Sequence, residues 1–214
     1  MTGTPGRPGL AGQPVNLLVR GRRVVVVGAG RIAARKTEPL LDLGADVVVV
    51  SPAVGDEITA WADQGRCSVI NRAFQPDDLD GAWLAFTATD DPGTNAAVHE
   101  AAEARRIWVN SADDPDNCSF TLMSVIRRSD LVIAIGTGGR SPALAAHLRR
   151  VFDEELGPEY ETLLDLLSEA RESLRAAGRS SEHADWPQAF ASGIVDLVRD
   201  GRVDEARELL NRCL

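Results

Sequence analysis

Two runs of β-branched residues early in the chain show no polar alternation. Residues 23–28 are RVVVVG and residues 46–52 are DVVVVSP, a pattern typical of strands buried on both faces of a parallel sheet. Residues 31–43, between them, carry apolar side chains at roughly helical spacing, and Gly44 is placed to end that helix. The pattern predicts a β-α-β unit with a right-handed crossover.

The alternation continues along the chain and changes character after residue 119. Further strands are expected at residues 67–74, 81–89 and 106–112, and helices at residues 54–64 and 93–105. Two more strands are expected within residues 119–139, then helices from Ser141-Pro142 to about Leu156 and over residues 159–176, 187–199 and 203–212. This order of elements is typical of an α/β protein with a helical C-terminal region.

The predicted fold class is therefore α/β, with a Rossmann-type parallel-sheet domain over residues 15–115. A small α/β segment over residues 116–156 and a helical region over residues 157–214 follow it. Residues 1–14 are rich in Gly and Pro, and we expect them to form a disordered tail.

Composition and charge exclude several classes of protein. The 214 residues are 44% hydrophobic and 26% charged, as in soluble globular proteins. No apolar run approaches the roughly 18 residues of a membrane span, and the N-terminus has no apolar signal core, so we expect a cytoplasmic protein without a membrane partner. Residues 151–214 hold 15 acidic and 7 basic side chains, which argues against nucleic acid as a partner. Three scattered cysteines and three histidines predict no metal site.

A glycine pattern follows the first predicted strand directly. Residues 28–33 are GAGRIA, a G-x-G-x-x-A pattern between a strand and a helix, and this context favours dinucleotide binding. Gly28 allows the tight turn, Gly30 lets a pyrophosphate approach the backbone, and Ala33 keeps the helix close to the sheet. A glycine turn packed for purely structural reasons is the alternative.

The end of the second strand bears on the choice of cofactor. NAD sites often carry Asp or Glu about 20 residues past the turn, and here Ser51-Pro52 occupies that place. Ser51 can hydrogen-bond a ribose hydroxyl, and no arginine follows that would hold a 2′-phosphate. We therefore expect NAD rather than NADP.

Polar residues also follow the fourth and fifth predicted strands. Because ligands lie beyond the carboxyl ends of strands in a doubly wound sheet, Thr87, Thr89 and Asp90 are expected to line the nicotinamide half of the cleft. The alternative is that Asp90 or Asp91 caps the next helix, and one residue can do both. After the fifth strand, Asp113 is a candidate general base, with an Asp-Pro turn as the alternative interpretation.

Residues 136–142, GTGGRSP, form a second glycine turn before a capped helix. Arg140 makes this turn a candidate anion site, because a cation lies beside backbone N–H groups at a helix start. A flexible connection with solvated arginines is an equal alternative.

Four segments occur in one order and at one spacing: VVVVGAGRIAARKTEPLLDLGADVVVVSP, AWLAFTATDDPGTN, RRIWVNSADDPDNCSF and DLVIAIGTGGRSPALA. Together they resemble precorrin-2 dehydrogenase, the N-terminal module of siroheme synthase, over roughly residues 15–156. The resemblance implies NAD-dependent dehydrogenation of precorrin-2, a tetrapyrrole, to sirohydrochlorin. Some members of the family are also sirohydrochlorin ferrochelatases, so iron insertion is a further expectation.

The resemblance also implies roles for individual residues. Asp113 corresponds to the family's key active-site aspartate, and a homodimer is implied through residues 116–156. Contacts with NAD are implied after the glycines and after the second strand, at Arg31, Ile32, Pro52 and Ala53. Thr137 corresponds to a serine position in the second glycine turn, where Gly138 and Arg140 suit a polycarboxylate substrate.

A nicotinamide-sensing regulatory module that binds NAD without catalysis is an alternative from another class. Such modules usually keep an acid where this chain has Ser51, and they have no reason to carry GTGGRSP. A family member that binds NAD but has lost catalysis is a third hypothesis.

Overall fold

The computed structural model describes residues 12–112 and 114–214, except for the side chain of His183. Within these residues the chain divides into two compact units between Leu122 and Met123. The first unit contains a parallel sheet and the second contains an antiparallel hairpin and several helices.

The first unit is a sheet of five parallel strands with helices in the crossovers. The strands are β1 (Arg23–Val27), β2 (Asp46–Val50), β3 (Ser68–Ile70), β4 (Leu84–Thr87) and β5 (Trp108–Ser111), and the helices are α1 (Arg31–Asp42), α2 (Asp56–Asp63) and α3 (Pro92–Arg105). The strand order is β3-β2-β1-β4-β5. This order confirms the predicted Rossmann-type fold and puts the switch point between β1 and β4, where such sheets bind their ligands.

The unbroken valine runs are explained by burial on both faces of the sheet. Val24 and Val26 pack in the core on the side of α1, together with Ala33. Val25 and Val27 pack in a second core with residues of α3. A strand buried on both faces needs apolar side chains at every position, so no polar alternation remains in the sequence.

The third strand is shorter than its apolar pattern predicts. Residues 67–74 were expected to form it, but β3 ends at Ile70, and the backbone turns so that the Arg72 amide donates to the Ile70 carbonyl at 3.0 Å. The Arg72 guanidinium then donates to both carboxylate oxygens of Asp78, at 2.8 and 2.5 Å. This pair holds a short 3₁₀ helix (Pro76–Leu79) against the end of the edge strand.

The second unit begins with a two-stranded hairpin and continues as helices. Strands β6 (Ser124–Arg128) and β7 (Leu131–Ile135) pair antiparallel, and helices α4 (Pro142–Glu155), α5 (Glu159–Ala176), α6 (Trp186–Ala191), α7 (Ile194–Arg199) and α8 (Val203–Cys213) follow. The hairpin turn is Ser129-Asp130, in which Ser129 has a positive φ of 50°. The Arg128 guanidinium donates to the Leu156 carbonyl at 2.8 Å and to a carboxylate oxygen of Asp153 at 2.8 Å.

One predicted helix is two helices in the structure. Residues 187–199 were expected to be continuous, but α6 ends at Ala191 and α7 begins at Ile194. Gly193 between them has φ of 83°, a left-handed conformation that stops an α-helix. The break turns both helices toward the apolar core that they share with α5 and α8.

The hairpin and α4 leave apolar side chains on the surface of the second unit. None of the residues described in α4 is buried. The exposed apolar side chains of these elements are Val125, Val132, Leu144, Val151 and Phe152. Among the helices that the structure describes, none has both the length and the apolar character needed to cross a bilayer.

Candidate functional site

The glycine turn joins β1 to α1 at the switch point of the sheet. Gly28 has φ of 104°, and a Cβ at this residue would overlap the Ala88 carbonyl oxygen and lie 2.8 Å from its carbon. Both the backbone conformation and the approach of the β4 end therefore require glycine. The Gly28 amide donates to the Val50 carbonyl at 2.9 Å, so the turn connects the ends of three neighbouring strands.

Gly30 has a different reason to be glycine. Its φ is −85°, which any residue adopts, and a Cβ on Gly30 would meet no described atom within 4 Å. The neighbouring residues would therefore not clash with a side chain at Gly30. The space beside its backbone is open, and a ligand can approach the backbone there. Gly30 is also the N-cap of α1, and the first-turn amides have no partner within the helix. The turn thus fits a pyrophosphate group.

The loop after β2 is hydrogen-bonded to the glycine turn. The Gly55 amide donates to the Ala29 carbonyl at 3.0 Å. Ser51 is buried, with 7% exposure, and its hydroxyl donates to the Ala53 carbonyl at 2.7 Å. Pro52 and Ala53 are exposed. The Ser51 hydroxyl proton is therefore used within the loop, and its oxygen also accepts from the Ala53 amide at 3.4 Å, which leaves one lone pair for a further donor.

The residues after β4 make hydrogen bonds that organise the start of α3. The Asp91 carboxylate caps this helix by accepting from the Gly93 and Thr94 amides, both at 3.1 Å. The hydroxyl of Thr94, and then the two amides, lower the pKa of Asp91 through their hydrogen bonds. The Thr89 hydroxyl donates to Asn95 Oδ1 at 2.8 Å, and Asp90 is exposed. The helix-cap interpretation is correct for Asp91.

Thr87 is placed differently from the other residues at the end of β4. It is fully buried, and its Oγ1 lies 2.7 Å from Ser111 Oγ on the neighbouring strand β5. The two hydroxyls therefore satisfy each other inside the core and do not line an open cleft. Side-chain alternation along the strand puts Thr87 on the buried α3 side, together with Ala85.

Asp113, the candidate base, lies outside the described residues, which resume at Asp114. Asp114 is followed by a short 3₁₀ helix (Pro115–Asn117), and Asn117 Nδ2 donates to its carboxylate at 2.5 Å. Cys118 Sγ lies 3.3 Å from the carbonyl oxygens of both Ser111 and Asp114 and accepts from the Ser111 amide at 3.1 Å. Burial raises the pKa of the Cys118 thiol. The segment after β5 thus folds back on the strand end.

Two polar residues near this edge, Lys36 and Asn110, were not predicted from the sequence. Lys36 Nζ, on α1, donates to Asn110 Oδ1 at 2.7 Å, and Asn110 is buried with 6% exposure on β5. The available signal was composition, because Lys36 is the only lysine among the 23 Lys and Arg residues. Across the described residues, His, Cys, Asp and Glu side chains form no group of three or more that could hold a metal ion.

The second glycine turn, in the second unit, is preorganised by its own hydrogen bonds. Gly138 and Gly139 both have positive φ, 59° and 74°. Thr137 Oγ1 accepts from the Ser141 amide at 3.3 Å and donates to the Ser141 carbonyl at 3.2 Å. Ser141 caps α4 by accepting from the Leu144 amide at 3.1 Å, as predicted. The Arg140 side chain is exposed next to this helix start.

A parallel sheet with a glycine turn at its switch point defines a dinucleotide-binding protein of the Rossmann class. A family model described as "Putative NAD(P)-binding" matches residues 15–124, more than half of the chain. The chain belongs to this family. The match confirms the prediction of a nicotinamide dinucleotide cofactor.

Relatives support the resemblance found in the sequence. Siroheme synthase of Pseudomonas entomophila is 36% identical over 194 residues, which is 90% of this chain and 42% of that protein. Siroheme synthase of Methylobacillus flagellatus is 34% identical over 203 residues, 94% of this chain and 44% of that protein. The chain therefore spans less than half the length of these relatives.

A solved structure matches along nearly its whole length. SirC, precorrin-2 dehydrogenase, superposes with a TM-score of 0.74 at 27% identity, covering 94% of this chain and 98% of that one. Together with the siroheme synthases, it confirms the family resemblance that the four sequence segments indicated.

Proposed function

We propose that this protein catalyses the NAD-dependent dehydrogenation of precorrin-2 to sirohydrochlorin in siroheme synthesis. The observation that carries the proposal is the match to SirC over 98% of that chain, which extends through both units of the present fold. The match to a dehydrogenase continues through the hairpin and helices, beyond the dinucleotide-binding sheet, and this favours the enzyme over a nicotinamide-sensing module.

The cofactor of the proposed reaction is NAD, bound at the glycine turn. In support, the space beside Gly30 is free of described atoms and the first turn of α1 offers unpaired amides. Ser51-Pro52 offers no cation for a 2′-phosphate, which favours NAD over NADP. The proposed NAD contacts are Gly28, Gly30, Arg31, Ile32, Ser51, Pro52, Ala53, Thr89 and Asp90.

The reaction removes two hydrogen atoms from the macrocycle. NAD supplies the acceptor for a hydride, and a proton is released for each hydride transferred. We assign this proton to the carboxylate of Asp113, which follows the carboxyl end of β5. A carboxylate within hydrogen-bond range of the substrate can accept this proton.

The proposed substrate is a polycarboxylate, so its site needs cations and N–H donors. Thr137, Gly138 and Arg140 are the proposed contacts. In support, the turn that holds them is fixed by hydrogen bonds of Thr137 with Ser141, and Arg140 is exposed at the start of α4.

The proposed assembly is a cytoplasmic homodimer formed through residues 116–156. The apolar side chains exposed on the hairpin and on α4 support this proposal. Exposed apolar patches of this kind are typical of interfaces between protein chains.

The test is NADH formation by the purified protein with precorrin-2 and NAD. We expect turnover with NAD and a clearly weaker response with NADP at equal concentration. Absence of NADH formation, with NAD binding intact in a titration, would refute the proposed enzyme and favour a sensing module. Ferrous iron added with sirohydrochlorin in a parallel assay tests iron insertion.

A further inference from the structure

The chain uses arginine almost everywhere that it needs a cation. Of its 23 basic residues only Lys36 is a lysine. Lysine and arginine are not interchangeable, because an ammonium is a compact point charge and a guanidinium is a broad planar fork. The single lysine therefore places at this position a compact ammonium that no other basic side chain of the protein supplies.

Lys36 is a residue of helix α1, and its side chain extends from the helix to the sheet. Its Nζ donates to Asn110 Oδ1 at 2.7 Å and lies 5.7 Å from the ring centroid of Phe86. Asn110 and Phe86 occupy paired positions on β5 and β4. The ammonium is therefore half-buried over the sheet, close to the carboxyl ends of both strands.

The Asn110 amide connects Lys36 to the segment after β5 through hydrogen bonds. Its Nδ2 donates to the Phe120 carbonyl at 3.0 Å and lies 3.8 Å from Cys118 Sγ. An ammonium only donates hydrogen bonds, so Lys36 fixes the amide oxygen toward α1 and the amide nitrogen toward Phe120. Without this donor, Asn110 Oδ1 would be buried without that partner, or the amide would turn and lose the Phe120 contact.

We propose that Lys36 is a positioning residue that holds the segment after β5, through Asn110 and Phe120, against the cofactor-binding helix. The segment contains Asp113, the proposed base, next to the described residues 114–120. The structural part of this proposal stands independently, and its consequence for turnover rests on the proposed dehydrogenase function.

The first experiment follows the order of the segment through the Cys118 thiol, with no substrate present. Iodoacetamide alkylation of each cysteine is followed by peptide mass spectrometry in the wild type, Lys36→Met and Arg35→Met. We expect Cys118 to react about tenfold faster in Lys36→Met, the scale of one lost buried hydrogen bond. Cys67 is the internal control. Arg35→Met removes an exposed cation from the same helix, and we expect it to leave the rate at Cys118 unchanged.

The second experiment measures kcat, the KM for precorrin-2 and the Kd for NAD of the same variants. Misplacing a base costs turnover more than binding, so kcat of Lys36→Met should fall on the order of 10²-fold while the Kd for NAD stays within about twofold. Lys36→Arg keeps the charge but not the compact shape, and we expect a smaller loss of kcat and a smaller rise in the Cys118 rate.

The outcomes separate this proposal from the proposed function. An unchanged Cys118 rate in a folded Lys36→Met would overturn it. If Lys36→Met does not fold, Lys36→Ala, which also removes the donor to Asn110, decides, and an unchanged Cys118 rate in that variant would overturn the proposal. A wild type that does not oxidise precorrin-2 would refute the dehydrogenase, while the alkylation comparison would still decide the role of Lys36.

Discussion

At the scale of single residues, the two glycines of the phosphate turn serve different purposes. Gly28 is required by the chain itself, because its φ is 104° and the Ala88 carbonyl leaves no space for a Cβ. Gly30 has an ordinary φ and open space beside its Cα. The fold itself does not require glycine at this position, so we attribute it to the approach of the bound cofactor. A substitution at each position separates stability from cofactor binding.

We predict that Gly30→Asp abolishes NAD binding and leaves Tm nearly unchanged, because a carboxylate would enter the space of the pyrophosphate without clashing with the fold. Gly28→Ala should instead lower the free energy of unfolding by about 2–4 kcal/mol through strain and overlap. Calorimetric titration with NAD and thermal unfolding measure the two effects. NAD binding by a folded Gly30→Asp would contradict the assignment of the pyrophosphate site.

Asp113 carries the proposed proton transfer. We predict that Asp113→Ala lowers the rate of NADH formation on the order of 10²-fold or more, the usual effect of losing a positioned base, with the Kd for NAD nearly unchanged. Asp63→Ala, which removes an exposed carboxylate at the end of α2, outside this segment, is the control and should keep wild-type turnover. Normal turnover of Asp113→Ala would remove Asp113 from the mechanism, and loss of NAD binding would make it a structural residue.

Asp78 makes stability depend on pH. Hydrogen bonds from Arg72, and then from the Gln75 amide, lower the pKa of this buried carboxylate despite its burial. A lowered folded-state pKa contributes stability above the unfolded value of about 3.9, and that stability is lost as pH falls through the folded pKa. The contribution is therefore complete near neutral pH.

We predict that Asp78→Asn lowers the free energy of unfolding by about 1–3 kcal/mol at neutral pH. Its difference from the wild type should shrink as the pH falls below about 4. Urea unfolding across that range measures the difference. Asp77→Asn removes an exposed carboxylate whose ion pair with Arg105 spans 3.4 Å, and it should cost little at any pH.

At the scale of elements, helix boundaries depend on single backbone conformations. The break between α6 and α7 occurs at Gly193, whose φ is 83°. A Cβ added at Gly193 would have no described atom within 4 Å, so space does not restrict this position. We predict that Gly193→Ala lowers the free energy of unfolding by about 1–2 kcal/mol, entirely through the left-handed backbone. Ser192→Ala beside it should cost less. Chemical denaturation of both variants measures this, and a neutral Gly193→Ala would contradict the explanation.

The strands show how far an apolar pattern predicts an element. The pattern predicted β1 and β2 closely, because each is bordered by glycine or proline and pairs on both sides. It overestimated β3, which ends at Ile70 on the sheet edge. There the ion pair between Arg72 and Asp78 competes with extension of the strand. The spacing of these two residues belongs to no helix or strand pattern, so the apolar pattern does not predict the pair.

At the scale of the whole molecule, the proposed homodimer would cover the apolar side chains exposed on the hairpin and α4. In a two-fold interface the same substitution is present on both subunits. A single charged substitution therefore introduces two buried charges and should weaken the dimer strongly. We predict a homodimer for the wild type at micromolar concentration and a monomer for Val132→Asp. Light scattering measures both. Phe190→Asp, an exposed aromatic residue on α6 with 47% exposure, is the control and should remain dimeric.

The sequence by itself determined the β-α-β unit, the sheet class and the glycine turn. These depend on local periodicity and on residues adjacent in the chain, because a buried parallel strand needs continuous apolar side chains and a tight turn needs glycine. The cap at Ser141 was predictable for the same reason, whereas the sequence left the cap of α3 open between Asp90 and Asp91, and the structure shows that it is Asp91.

Only the tertiary structure decided which polar side chains meet. The sequence places Thr87 at the edge where a ligand is expected, but pairing with Ser111 buries it. Lys36 and Asn110 are 74 residues apart and still form a hydrogen bond of 2.7 Å. Such contacts depend on strand order and on which face of the sheet a side chain occupies, and no local pattern encodes the distance between two elements that the fold brings together.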